Sequence, residues 1–262
     1  MWTRKGLKNK AKEVLKTNYW KAFVVSLVIL FAGASNNKFS LSIEKKPSNL
    51  TFDEEIMTIV VIIFIIIAFR FFIGYVLEVG GRKFFIKAAA GKESKLGYLI
   101  DYFGDDGYLN LIVAMLLRTT YIILWTLLLI IPGIVKAYAY RMVPYLLADN
   151  PNLGAKRAIE LSDQMTDGHK GDIFILDLSF LGWYLLAGML ALVIEELFGL
   201  SYENFTIGTS VILTFEYQNL SIGSVFVMPY ENATNAELYL ELRKNAIRRG
   251  LTSNEELNIE TS

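Results

Sequence analysis

Apolar residues in this chain fall into long runs broken by short charged stretches, and elsewhere they recur at helical spacing in polar surroundings. Residues 56–77 read IMTIVVIIFIIIAFRFFIGYVL, with Arg70 as the single charge. A helix rises about 1.5 Å per residue, so this run covers a hydrocarbon core of ~30 Å. Its β-branched content suits a buried strand, but strands rarely run so long. Residues 109–131 and 173–194 have similar length and are interrupted by Arg118 and Asp177. These three runs predict membrane-spanning helices.

Three further segments are weaker. Residues 19–35 reach spanning length when Tyr19, Trp20 and Lys21 serve as interfacial anchors. Ala32-Gly33-Ala34 resembles a signal-peptidase site, but the preceding 21 residues are long and helically patterned for a leader, so a retained span is expected. Residues 134–148 carry Lys136 and Arg141 and suit a re-entrant segment or a short span sheltered by neighbours. A last segment lies within 205–240 in one of two registers. One spans 205–230 with Glu216 near the midplane; the other starts near Asn219 and runs through a kink at Pro229, leaving Glu216 at the outer surface.

Between the runs, Leu7, Ala11, Val14 and Leu15 form one face of a helix over residues 3–17. Arg4, Lys5, Lys8, Lys12 and Lys16 make it basic, which predicts an interfacial helix drawn to anionic headgroups of the inner leaflet. Ala155, Ala158, Ile159, Ser162 and Met165 repeat the pattern after Asn150, read as N-cap, and Pro151, read as the first helical residue. Thr234 and Glu237 have capping-box spacing for a final helix ending near Gly250, and residues 251–262 read as a frayed polar tail.

Charge bias fixes the count of crossings. Arg4, Lys5, Lys8, Lys10, Lys12, Lys16 and Lys21 face only Glu13 in the first 21 residues; the 78–108 loop holds five more Lys/Arg, the 149–172 loop holds Lys156, Arg157 and Lys170, and the 243–249 tail is basic. The positive-inside rule places all four in the cytoplasm. Residues 108 and 149 then share a side, so 134–148 must return. The expectation is an all-α polytopic membrane helical bundle of about six transmembrane segments, forming a single domain over 1–250, with amphipathic cytoplasmic-surface helices and both termini inside the bacterial cytoplasmic membrane.

Composition agrees and removes some chemistry. Of 262 residues 53% are hydrophobic, there is no cysteine, and His169 is the one histidine. Thiolate nucleophiles, disulfides, Cys-ligated zinc and His-rich metal sites are excluded, and no cofactor is implied. No Walker loop, GxSxG or HExxH occurs, so an enzyme is not expected. His169 reads as a headgroup-level polar residue, and Asp105-Asp106 as the start of a helix. Asn49 and Asn204 head sequons of a kind frequent by chance. The basic N-terminal helix lacks aromatic platforms, so the bilayer is its expected partner and nucleic acid is not.

The chemistry that remains is charge at membrane depth: Arg70, Arg118, Lys136, Arg141, Asp177 and Glu216 form the candidate intramembrane polar site. Each costs on the order of 2.5–3.5 kcal/mol on translocon scales, so each must face protein or water or snorkel. Arg118 and Asp177 are read as a charge pair; Lys136 and Arg141 have no assigned partner. The pattern Pro-Tyr-x-x-Ala-x-Asn at 144–150 recurs at 229–235, a weak sign of repetition.

Four blocks carry a family likeness: LKNKAKEVLKTNYWKAFVVSLV (7–28), ILWTLLLIIPGIVKAYAYRMVPYLLADNP (123–151), AIELSDQMTDGHKGDIFILDLSFLGWYLL (158–186) and FVMPYENATNAELYLELR (226–243). In these the chain resembles an uncharacterised family of bacterial integral membrane proteins, the domain-of-unknown-function family 975. It departs in having Gly171 where the family has an aromatic, and in an enlargement over 195–218. The resemblance implies a membrane topology and no activity. Two roles remain: a non-enzymatic membrane component of accessory, immunity or envelope-maintenance type, working with another membrane protein, or a small transporter or channel with a cytoplasm-facing polar cavity.

Overall fold

A computed structural model describes residues 2–33, 40–45, 52–198, 211–216 and 222–259. The first helix, α1 (Arg4–Phe31), begins at Thr3, whose Oγ1 accepts the Gly6 N–H at 3.1 Å. It is unbroken, so the expected surface helix and first span are one element. Leu7 and Ala11 are buried in the protein.

Strand β1 (Ser40–Lys45) pairs antiparallel with β2 (Val211–Glu216), with Ser40 opposite Glu216 and Lys45 opposite Val211. This ribbon is an addition to the expected all-helical class. Leu41 and Ile43 alternate with Ser40, Ser42 and Glu44, the period of a strand. It also overturns the register that carried a span through 205–230. The sequons at Asn49 and Asn204 and most of the enlargement lie outside the described residues.

Helix α2 (Phe52–Phe69) passes through a π turn, Arg70–Gly74, into α3 (Tyr75–Ala89), where the Tyr75 N–H reaches the Arg70 carbonyl. Residues 78–89, read as loop, are therefore helical. The turn brings Gly74 against the end of α1. A Cβ there would lie 2.6 Å from the Ala32 carbonyl oxygen, and one on Gly81 would lie 2.5 Å from Ile29. Glycine lets α1 and α3 approach this closely.

Helix α4 (Tyr108–Leu128) is followed by one extended residue, Leu129, and α5 (Ile130–Ala139). The chain reverses there, as the charge bias requires. Pro132 sits in the first turn of α5, where its missing N–H costs nothing. A Cβ on Gly133 would lie 2.3 Å from Thr126 Oγ1, which explains the Pro-Gly pair. The returning segment is not one helix: it breaks at Tyr140–Met142 before α6 (Val143–Asp149). Val143 to Ala148 are all buried.

Helix α7 (Ala155–Thr166) starts after Gly154, not after Asn150 and Pro151. Asn150 instead closes α6 and accepts the Asn152 N–H at 2.9 Å. The predicted face holds: Ala158, Ile159, Ser162 and Met165 are buried. Helices α8 (Lys170–Leu178) and α9 (Leu181–Phe198) are separated by a tight turn at Ser179-Phe180. Helix α10 (Ile222–Arg248) runs through Pro229, agreeing with the second register. Thr234 and Glu237 lie inside it and cap nothing; Thr234 Oγ1 donates back to the Tyr230 carbonyl at 2.7 Å. Gly250 (φ +69°) ends the helix as predicted.

The tail does not fray over its described part. Arg157 binds Glu256 at 2.7 Å, and Leu257 is fully buried.

Among the described residues, four helical stretches are long and apolar enough to cross a membrane: Arg4–Phe31, Val60–Ala89, Tyr108–Leu128 and Lys170–Leu190. The other two expected segments differ in kind, α5 and α6 being short and α10 long but polar. Burial is uneven. Phe64, Ile65, Leu127, Ile131, Leu186 and Met189 stand exposed on α2, the α4–α5 tip and α9. The core gathers at the opposite ends of the helices, where Phe84, Leu111, Leu146, Leu161 and Tyr239 are buried.

Candidate functional site

Where the exposed apolar zone meets the core, a cavity of about 590 Å³ opens between α1, α3, α4, α5, α6, α8, α9 and α10. Its charged lining is Glu78, Arg82, Arg118, Arg141, Asp177 and Glu231. That volume lies in the usual range for small-molecule sites.

One wall is built on α3. Glu78 is 2% exposed, and its Oε2 accepts the Arg70 guanidinium at 2.9 Å. Arg70 also donates to the Ala32 carbonyl at 2.5 Å, placing a cation at the C-terminal end of α1, where the helix dipole favours it. Arg82, one turn beyond Glu78, and Arg118 from α4 each stand 3.9 Å from Glu78 Oε1. That is an ion-pair distance but too long for a hydrogen bond. Arg118 Nε donates to the Tyr140 carbonyl at 2.9 Å, freed by the break after α5. Arg82 Nη1 donates to Asn232 Oδ1 at 2.7 Å, and Asn232 in turn donates to Ser26 at 3.0 Å. Three arginines thus surround one carboxylate.

The facing wall joins α5, α8, α9 and α10. Arg141 holds Asp177 with two prongs, one of them 2.8 Å, and also donates to Asn235 at 2.9 Å. Tyr138 donates to the same carboxylate at 3.0 Å. Tyr184 donates to Glu231, which has no cationic partner within salt-bridge distance among the described residues.

The expected Arg118–Asp177 pair is therefore incorrect. Both side chains line the cavity, but Arg118 turns to Glu78 and Asp177 to Arg141. Lys136 and Arg141, left without partners, are both paired. Lys136 meets Asp163 at 2.9 Å in a separate group with Lys170, which lies 2.7 Å from the other oxygen. Burial pushes the Asp163 carboxyl up, but the hydrogen bonds from Lys170 and Lys136 outweigh it and leave its pKa below the ordinary value. Glu216 lies in β2, and its side chain is outside the described residues.

Of the basic residues assigned to the lipid surface, Arg4, Lys5, Lys12 and Lys16 are exposed. Lys8 is not: it donates to the Ser179 carbonyl at 3.0 Å and lies 4.2 Å above the Phe180 ring. It thereby satisfies the backbone at the α8–α9 break. His169 packs on Trp2, with ring centroids 6.0 Å apart. Asp105 accepts the Gly107 N–H at 2.7 Å just before α4, the helix-start role read for it.

Sequence reasoning missed Glu78, Arg82 and Glu231. Glu78 falls at the edge of an apolar run and was counted with the loop charges. The signal available was its i, i+4 spacing from Arg82 on a segment able to continue the helix.

Residues 126–246 match the family model described as "Protein of unknown function (DUF975)", the family the four blocks resemble. The matched stretch holds Lys136, Arg141, Asp177 and Glu231; Arg70, Glu78, Arg82 and Arg118 precede it. No curated protein and no solved structure matches the chain.

Proposed function

We propose, for a chain whose residues 126–246 match a family of unknown function, a non-enzymatic multi-pass component of the bacterial cytoplasmic membrane that binds a small polar solute in its central cavity. The reading takes six segments: α1, α2 with α3, α4, α5 with α6, α8 with α9, and α10, with both termini cytoplasmic. The reversal at Leu129 supports it, as does the Lys/Arg placement counted above.

The observation that carries the solute-binding role is the cavity itself. A purely structural bundle closes its buried charges into pairs or lets them snorkel. Here six charged side chains converge on open space, and Glu231, Arg82 and Arg118 remain incompletely matched. That favours the transporter-like role over an accessory or immunity role. The exposed apolar belt on α2, α4 and α9 is the surface that lipid covers.

The absence of cysteine makes the test direct. Ala137→Cys and Ile122→Cys place thiols on the cavity wall, and Leu147→Cys places one in the closed core. Small charged methanethiosulfonates applied to inside-out membrane vesicles should modify the first two and spare the third. Protection of all three would mean a sealed bundle and would remove the proposal.

A further inference from the structure

The α3–α4 wall presents more cationic donor than its carboxylate accepts. Glu78 gives its one short contact to Arg70. Arg82 and Arg118 are left with charge-assisted donors that have no acceptor among the described residues. Arg118 makes a hydrogen bond through Nε alone, and Arg82 through Nη1 alone. Arg82 Nε is buried with no partner at all. A guanidinium carries five N–H donors in a rigid fork; among those of this pair Arg82 Nε is the one that is buried and unmet, which is costly, and the others left over are open to an acceptor in the cavity. The two groups flank the same Oε1 at 3.9 Å, so their free edges stand side by side on the cavity wall. Arg82 is also held 5.2 Å over the Tyr145 ring, which fixes its plane.

We propose that Arg82 and Arg118 form an oxyanion site, taking the carboxylate or phosphate group of the ligand that occupies the cavity. The inference rests on the solute-binding reading above and names the ligand's chemical class. A planar or tetrahedral oxyanion accepts several parallel N–H bonds from such a pair. It also offsets the positive excess of three arginines around Glu78. The opposite wall presents Glu231, held by Tyr184, which repels a second negative group and keeps the anionic end of the ligand on the α3–α4 side. The same chemistry is offered by a free solute and by a phospholipid headgroup.

Thermal unfolding of the detergent-purified full chain separates these cases. Sodium phosphate and sodium acetate are titrated against sodium chloride at matched ionic strength, and phosphatidylglycerol micelles against phosphatidylcholine micelles. A free-solute site raises the midpoint by roughly 5 °C at saturating phosphate or acetate. A headgroup site responds only to phosphatidylglycerol. In either case Arg82→Gln and Arg118→Gln each weaken the apparent affinity by roughly tenfold or more. Should these variants fail to fold, the same anion must slow modification of Ala137→Cys in the otherwise unchanged protein. No midpoint shift with any anion and no protection of Ala137→Cys, or shifts that both arginine variants retain, overturn the site. If Ala137→Cys is nonetheless modified, the cavity reading stands without its anion; if it is inert, both fall.

Discussion

Arg141 and Asp177 meet in a two-pronged ion pair that ties the break between α5 and α6 to α8 on one wall of the central cavity. Asn235 takes a further Arg141 donor, so three separate segments of chain depend on one guanidinium. Removing one partner of a buried pair typically costs 3–5 kcal/mol, because the other is left uncompensated. Both side chains retain some exposure, so about 2–3 kcal/mol is expected for Asp177→Asn or Arg141→Gln. The exchange Arg141→Asp with Asp177→Arg should recover part of it in thermal unfolding. Exchanging Arg118 with Asp177 should recover nothing.

Glu78 is the single carboxylate among three arginines, and its side chain is 3% exposed. Glu78→Gln should cost about 3 kcal/mol or more by leaving those cations together in a closed setting. Adding Arg118→Gln should restore part of the loss. Unchanged unfolding midpoints in both proteins would show that the repulsion is relieved by solvent.

Gly74 and Gly81 set the spacing between α1 and α3. A methyl at either position meets atoms of α1 at 2.6 Å or less, so Gly74→Ala and Gly81→Ala should each destabilise by about 1–3 kcal/mol. Gly171→Ala, with nothing within 4 Å of its Cβ, should be neutral or slightly stabilising. Denaturation of the three proteins in one detergent compares them directly.

Docking of the C-terminal segment should depend on pH. The hydrogen bond from Arg157 holds the Glu256 carboxyl below its ordinary value near 4.5. A carboxylate whose folded pKa is depressed contributes stability above its unfolded pKa and loses it as pH falls through the folded value. The segment should therefore resist a C-terminal protease at pH 7 and yield to an acid-active one below about pH 4. Arg157→Gln should yield at both.

The hairpin gives a topological prediction. A reporter inserted between Gly133 and Ile134 should read as extracytoplasmic, while fusions after residue 108 and after residue 149 read as cytoplasmic. Cytoplasmic signal at all three positions would sink the six-segment arrangement.

The long runs at 56–77, 109–131 and 173–194 were legible because hydrophobic length is a local property, and so was the reversal near Gly133, which follows from charge bias on either side. Pairings were not. Arg141 and Asp177 are 36 residues apart in sequence, and nothing local distinguishes Arg118 from Arg141 as the partner of Asp177. Glu78 was hidden by a boundary: hydropathy ended the span near residue 77, whereas the helix continues to Ala89. Lys8 was misread because a basic amphipathic face looks the same whether it meets lipid headgroups or an open carbonyl such as that of Ser179. The break between α8 and α9 that creates this acceptor lies inside a run that reads as one helix.

Helix α1 makes its most extensive contacts with α10, including Lys10 to Glu241 at 2.7 Å and Phe23 stacked on Phe226. Of the helices described, α1 leaves the ribosome first and α10 last. At ~5–20 residues per second, residues 32–221 take on the order of 10–40 s to synthesise. Through that interval α1 lacks its principal neighbour, and Lys10 is without Glu241. The bundle closes only when its final helix arrives, so truncation within α10 should leave a polypeptide that inserts but does not assemble.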